Sequence, residues 1–421
     1  MHSPMYDTID NCYCCGSDKF IPYLHMGYMP LANGYHREEE EVPSLPLKIQ
    51  QCRRCYHSQI GIVVKPEVLF RNYYYVSGTS QTFQDHCRKL AHDTKSRLSI
   101  KFPSVLDIAC NDGTLLESFQ YYGCSVTGID PAENLRKVTE AKDIPVHVDY
   151  WNEGVANRIG DKFDIINKFD IITATNVFAH VDNPFVFLSE CKQAIHEHGM
   201  IIIEFPYAAK MFQDCEFDTI YHEHLSYFLV NSFATLVDRV EGLRIQDVVQ
   251  TPIHGGSIRF VLRKSNIQSH HNGIIHDLIR QEYNNNLFKT STMVDFGSQA
   301  YENRAKFLLA MLQLRKEKKK IIGYGASAKG NTALNFFNVD HTQVSYIVDE
   351  TPQKQGLLTP GSNIPIVAPD VLEHEEEELY VIMSAWNFKE EILYKIQQLV
   401  RVPFHPIFYV PEVTIDGHSV S

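Results

Sequence analysis

The sequence predicts an α/β protein in which a Rossmann-like core carries a small metal-binding module before it and a second Rossmann-like part after it. Three observations lead there. Two C-x-x-C pairs lie near the N-terminus, Cys12 with Cys15 and Cys52 with Cys55. A strand, a tight turn, a helix and a second strand follow one another from Ser104 to Asp130, and the same order recurs from Lys320 to Asp349. With 421 residues the chain has material for two or three domains. Their expected bounds are 1–68 for the metal module, 69–265 for the first core, 266–319 for a helical connector and 320–421 for the C-terminal part.

Lysine and arginine number 39 against 51 aspartates and glutamates, a net charge of −12, which argues against nucleic acid as a partner. No apolar run approaches the roughly 20 residues that cross a bilayer, and the first residues lack the charged-then-apolar layout of a signal peptide. The expectation is a cytoplasmic protein, a monomer or weak homo-oligomer, that engages no membrane. Its ten cysteines are expected as thiols rather than disulfides.

Taken in order, each C-x-x-C knuckle turns two thiolates toward one point, and four thiolates close a tetrahedral shell with no open position for catalysis. The expected metal is structural zinc on Cys12, Cys15, Cys52 and Cys55, with Cys14 left over. Pro30 to Asn33 reads as a turn. Tyr73-Tyr74-Tyr75 precedes a helical pattern from Gln81, with Ser80 placed to cap it; adjacent tyrosines by themselves speak for packing.

In the first core, a dinucleotide site would want G-x-G-x-x-G after the first strand. Here Ala109 and Asn111 stand in the turn and only Gly113 remains, placed to let the backbone approach a ligand. Asp130, at the tip of the second strand, suits ribose hydroxyls. Asp107 would face a cation and repel a pyrophosphate. A sulfonium nucleoside therefore fits better than NAD, which makes this a class I SAM-methyltransferase core with S-adenosylmethionine (SAM) as cofactor. Asn176 and His180 follow the strand Phe169–Ala174, where ligand-facing residues collect, although a lone histidine there is as well a structural one.

Asp218 to Phe228 packs two imidazoles, two carboxylates and two phenols into one short stretch, the makings of a proton-transfer site. A solvated loop is the plainer reading. His222 and His224 are close enough to chelate a metal, but spacing suggests no third ligand. Further on, His254-Gly255-Gly256-Ser257 implies close backbone approach to a ligand or a strand, ahead of the strand that holds Arg259. A helical period runs from Ile274 to Lys320 and reads as a connector packed across domains. The second turn, Gly323-Tyr324-Gly325 with Lys329 behind it, offers amides and an ammonium to a pyrophosphate. Trp386 lies beyond a later strand end.

Six of these stretches occur in one order: four cysteines, N-D-G, Y-H-E-H-L-S-Y-F, H-G-G-S, G-Y-G-A-x-x-K-G and A-W-N-F. In that order the chain resembles, end to end, the nucleotide-sugar C-methyltransferases that branch 4-keto-deoxysugars. The resemblance implies a SAM-dependent enzyme acting on a dTDP- or UDP-linked 4-keto-6-deoxysugar, at C3. It implies His224 as the base with Tyr221 and Glu223 beside it, Tyr75 near the keto oxygen and His180 as a further active-site residue. It implies Asp107, Asn111, Gly113, Asp130 and Asn176 around SAM, and His254, Arg259, Tyr324, Lys329, Asn331 and Trp386 around the sugar nucleotide. Ala109 departs from the family's usual glycine, and Tyr74 and Gly78 from its proline and serine. Glu223 or a neighbour is expected to orient the His224 ring. An O- or N-methyltransferase of a sugar nucleotide, or an inactive scaffold built on the zinc module, are the other readings, and a zinc-ribbon nucleic-acid methyltransferase is disfavoured by charge.

Overall fold

The computed structural model describes residues 5–40, 42–69, 78, 80–162, 169–265 and 273–420. The N-terminal module is built on β1 (Phe20–Pro30), β2 (Ser44–Cys52) and β3 (Ser58–Ile60). Helix α1 (Gln81–Ser96) follows, its first turn capped by the Ser80 hydroxyl, which accepts from the Phe83 N–H.

The central sheet comprises β4 (Ser104–Ile108), β5 (Ser125–Ile129), β6 (Val146–His147), β7 (Phe169–Thr175) and β8 (Ile195–Pro206), with α2 (Thr114–Tyr121) and α3 (Pro184–Ala194) among its crossovers. After β8 the chain forms β9 (Ser226–Tyr227) and α4 (Val230–Val237), then returns as β10 (Leu243–Thr251) and β11 (Ser257–Lys264). The strand order is β10-β11-β8-β7-β4-β5-β6, with β11 antiparallel to both neighbours. The apolar runs of β7 and β8 are buried on both faces, the pattern of strands covered by helices above and below. Register then aligns chemistry across the sheet: Asp107 pairs with Thr173, Thr175 with Glu204, and Glu204 with Arg259.

Two helices, α5 (Gly273–Asn284) and α6 (Thr290–Lys316), lead to the last part. Glu282 of α5 is buried and serves as a cap for α4, accepting from the Val230 and Asn231 N–H groups and from the Tyr207 hydroxyl. Helix α6 spans the molecule. Its Gly297 lies so close to β1 that an added Cβ would sit 2.3 Å from the Tyr23 carbonyl, and its Phe307 stacks on Phe337 at 4.5 Å. The C-terminal sheet runs through β12 (Lys320–Tyr324), β13 (Ile347–Val348), β14 (Ile366–Val367), β15 (Leu379–Met383) and β16 (Phe404–Phe408), ordered β14-β13-β12-β15-β16 and all parallel, with a short hairpin at its edge. Helix α7 (Ala328–Phe337) opens after β12.

One apolar core runs through all three parts, from Leu24 and Ile49 through Phe178 and Phe205 to Phe337 and Tyr409. The four-stranded sheet of the N-terminal module crosses a part boundary too: β9, from the Asp218–Phe228 stretch, adds to β3 in the order β9-β3-β2-β1. No helix among the described residues is long and apolar enough to cross a membrane.

Candidate active site

The sulfurs of Cys12, Cys15, Cys52 and Cys55 lie within 4.8 Å of one another, and Cys12–Cys55 and Cys15–Cys52 are each 3.5 Å apart. Zn–S bonds of about 2.3 Å span a tetrahedron with edges of about 3.8 Å, so the four thiols fit zinc with little movement. Cys14 is buried in the core.

At the C-terminal edges of β4 to β7 lies a cavity of about 320 Å³. Its turn is left-handed at Ala109 (φ 57°), Asn111 (φ 51°) and Gly113 (φ 77°). For Ala109, which carries a Cβ, that conformation costs about 1–2 kcal/mol. The turn is pinned to the sheet because the Ala109 and Cys110 N–H groups both donate to the Ile129 carbonyl. Asp130 braces it, one oxygen accepting from the Asn111 N–H at 2.9 Å and the other from the Ala132 N–H at 2.8 Å. Asp107 accepts from the Thr173 hydroxyl at 2.6 Å, and burial pushes its carboxyl up to about 7.

Asp107, Asp112, Asp130, Asp149, Asp182, Glu67 and Glu223 line this cavity with Asn176, His180 and His222, and among the described residues no lysine or arginine lines it. The Asn176 side-chain oxygen is buried without a hydrogen-bond partner. Such a wall repels a pyrophosphate and suits a ligand carrying a sulfonium and an ammonium, as SAM does. Gly113 plays another part than expected. It is not in the wall: an added Cβ would meet Ile144 at 2.7 Å, so the glycine serves its left-handed φ and close packing rather than ligand approach.

Next to this cavity stands His224, buried at the end of the turn that begins at Thr219. Its Nδ1 lies 2.9 Å from the Thr219 carbonyl, which fixes the proton on Nδ1 and leaves Nε2 to accept from the Tyr221 hydroxyl at 2.7 Å. Burial first, then the nearby His180, Lys329 and His254, holds His224 well below its ordinary 6.5, against a smaller opposing pull from the Thr219 carbonyl. The ring is therefore neutral, with its lone pair at Nε2. His180 meets it edge-on at 4.8 Å. Among the described residues no metal-ligating group includes His222 or His224; the four cysteines form the one such group. Of the residues expected to orient the ring, the neighbours Thr219 and Tyr221 do so rather than Glu223; both Glu223 oxygens accept from the Asn33 side-chain amide, at 2.8 and 2.9 Å, and burial raises it to about 7. Tyr75 lies outside the described residues.

From the C-terminal side, Lys329 reaches this loop. Its ammonium is 3.4 Å from Glu216 and from the His254 carbonyl and 4.2 Å over the Trp386 ring, while the Trp386 indole N–H donates to Asp218 at 2.7 Å. His254, at φ 56°, packs between Phe83 and Phe388. Three of the six residues expected around the substrate thus converge. The other three are tied elsewhere: Arg259 to Glu204, whose second oxygen takes His86; Tyr324 to Glu350; and Asn331 to the Ala32 carbonyl.

A pyrophosphate at the second turn, the sequence expectation, does not fit. The Gly325, Ala326 and Gly330 amides already donate to Val348, Asp349 and Ser327, and Lys329 is turned toward two buried carboxylates.

Family models match three successive stretches of the chain, the last beginning ahead of β11 of the central sheet. A putative zinc binding domain matches residues 12–70, a methyltransferase domain residues 83–245, and a C-methyltransferase C-terminal domain residues 252–411. The C-methyltransferase NovU of Streptomyces niveus is 28% identical over 408 residues, 96% of each chain. Together these matches make the protein a SAM-dependent C-methyltransferase. The methyltransferase uses SAM and carries zinc on its four-cysteine cluster. A ubiquinone biosynthesis O-methyltransferase of Azorhizobium caulinodans is 30% identical over 118 residues, 28% of this chain and 45% of its own. Among solved structures, a magnesium protoporphyrin IX methyltransferase from Synechocystis PCC 6803 with bound SAM covers 43% of this chain and 79% of its own at 12% identity, with a TM-score of 0.33.

Sequence reasoning missed several residues of the methyltransferase's site. Asp149, Tyr150 and Trp151 form one cavity wall just past the tip of β6, a position that strand-end logic would have flagged. Glu216, which faces Lys329 beside Asp218 of the singled-out stretch, and Asn33, which holds Glu223, carry no local signal at all.

Proposed function

We propose that this enzyme moves a methyl group from SAM to the carbon beside the ketone of a nucleotide-linked 4-keto-6-deoxysugar, at C3, the nucleotide being of the dTDP or UDP type. The observation that carries the reading is the neutral His224 bonded to Tyr221, in a loop whose Glu223 and His222 line the cofactor cavity and which Lys329 meets from the other side.

A carbon next to a ketone becomes a nucleophile only when it loses a proton, with the charge settling on oxygen. Nε2 of His224 takes that proton, and the Tyr221 hydroxyl, released from Nε2 by the incoming C–H, turns to the developing oxyanion. SAM supplies an electrophilic methyl on a sulfonium, with Asp107, Asn111, Asp130 and Asn176 holding it. His254, Lys329 and Trp386 meet the sugar. The zinc stays outside the chemistry. The test is solvent exchange: in D2O, with keto-sugar nucleotide and no methyl donor, deuterium should wash into the carbon beside the ketone. Methyl transfer to oxygen or nitrogen without such exchange would sink the reading.

The Asp107 carboxyl gives a second expected outcome. Its raised value leaves it largely neutral below about pH 7 and ionised above, and a cationic ligand wants it ionised. Affinity for SAM should therefore climb between pH 6 and 8. The ligand-free fold should move the other way, losing stability as pH rises from the ordinary carboxylate range of about 4 to the raised value. Calorimetric titration across that range checks it, and Asp107→Asn should flatten the climb.

A further inference from the structure

We propose that Asn33 is a positioning residue for methyl transfer: from the zinc-bearing module it holds the Glu223 carboxylate in place, and with it the loop that carries His224. The inference rests on the reading of that loop as base-bearing.

Glu223 is buried in the wall of the cofactor cavity, and among the described residues no lysine or arginine pairs with it. A carboxylate in that situation must find hydrogen-bond donors or retract. The Asn33 side-chain NH2 nitrogen meets that need, 2.8 Å from one Glu223 oxygen and 2.9 Å from the other, so that its N–H is shared between them. Asn33 is in turn fixed from two sides. The carbonyl of its neighbour Ala32 accepts from the Asn331 amide of α7 at 2.8 Å, and the Tyr35 hydroxyl lies 3.4 Å from the Asn33 oxygen while reaching the Ala326 carbonyl. The same module grips the far side of the loop. The Ile60 N–H donates to the Leu225 carbonyl at 3.1 Å, β9 pairs with β3, and His57 meets the Ser226 hydroxyl at 3.1 Å. His224 sits between these two grips, its own ring referenced to Thr219. A displacement of Glu223 passes directly to its neighbour, and small misplacements of catalytic groups cost about 100-fold.

Asn33→Ala should lower kcat by about 100-fold, leave the KM for SAM within about twofold, and speed amide hydrogen exchange in residues 218–228. Asn33→Ser, which keeps one donor, should fall between it and wild type on both counts, and serves if the alanine variant folds poorly. The reversed pair Asn33→Asp with Glu223→Gln rebuilds the tie with donor and acceptor exchanged, and should return slow exchange to 218–228. Unchanged turnover in Asn33→Ala, or lost turnover with unchanged exchange in 218–228, overturns the proposal. The amide readout is independent of the reaction, so a failure here is separable from a failure of the base assignment, which deuterium wash-in at the substrate carbon reports.

Discussion

His224→Ala should reduce methyl transfer by about 10²–10⁴-fold and abolish deuterium wash-in at the substrate carbon, while S-adenosylhomocysteine binds as well as before. The size follows from the role: general-base removal forfeits proton abstraction, whereas the cavity that holds the nucleoside is built from other side chains. The pH dependence has a definite sign. A histidine pushed well below 6.5 is neutral at every pH above its depressed value, so kcat/KM should not lose this base at pH 6, where an ordinary histidine would already be mostly protonated. Stability follows the opposite reference. His222 is likewise buried, His180 and His254 are partly so, and all three are held at about 4. Between about 4 and 6.5 the unfolded chain binds protons that the fold excludes, so these groups favour folding fully above pH 6.5 and that contribution is lost as pH falls through the window. Activity should thus survive below pH 6.5 as far as the fold does. Persistence of wash-in in His224→Ala would assign the proton to another group, with Tyr221 the first to examine.

Much of this site was legible because its signals are local. C-x-x-C fixes two thiols on one turn, and an acid at the end of a strand points where cavities open, so the convergence of the four cysteines and the place of Asp107 and Asp130 in the cavity wall could be read without a structure. The cofactor too was legible, since the want of glycine around Ala109 and Asn111 spoke against a pyrophosphate, and the structure surrounds that turn with carboxylates. Where reasoning went astray, the local pattern was ambiguous about what its groups were bonded to. The G-Y-G turn looks like a phosphate nest in sequence, but its amides are spent on Val348 and Asp349. Gly113 looks like an opening for a ligand and instead makes room for Ile144. Asn33 and Glu223 are 190 positions apart, and nothing in the period of either segment announces that they meet.

Removing the zinc should cost more than the module that binds it. Structural four-cysteine sites contribute apparent binding energies of about 10–16 kcal/mol, well beyond what β1, β2 and β3 could make up from their own packing. Without metal, four thiols held within 4.8 Å of one another lose their reason to converge. Cys52 ends β2, and the knuckle to Cys55 leads straight into β3, the strand on which β9 is paired. Losing the knuckle therefore releases Ser226 and Tyr227, and with them the loop of Tyr221, Glu223 and His224. Cys52→Ser, or exhaustive chelation verified by metal analysis, should lower the thermal transition, speed amide exchange in residues 218–228 and abolish turnover. S-adenosylhomocysteine affinity should fall less, because Asp107, Asp130 and Asn176 come from the central sheet. A metal-free protein that kept both turnover and slow exchange in 218–228 would show that the central core shapes this loop unaided. The coupling runs through backbone pairing rather than through the metal's own chemistry, so any divalent ion that restores a tetrahedral thiolate shell should restore turnover along with the fold.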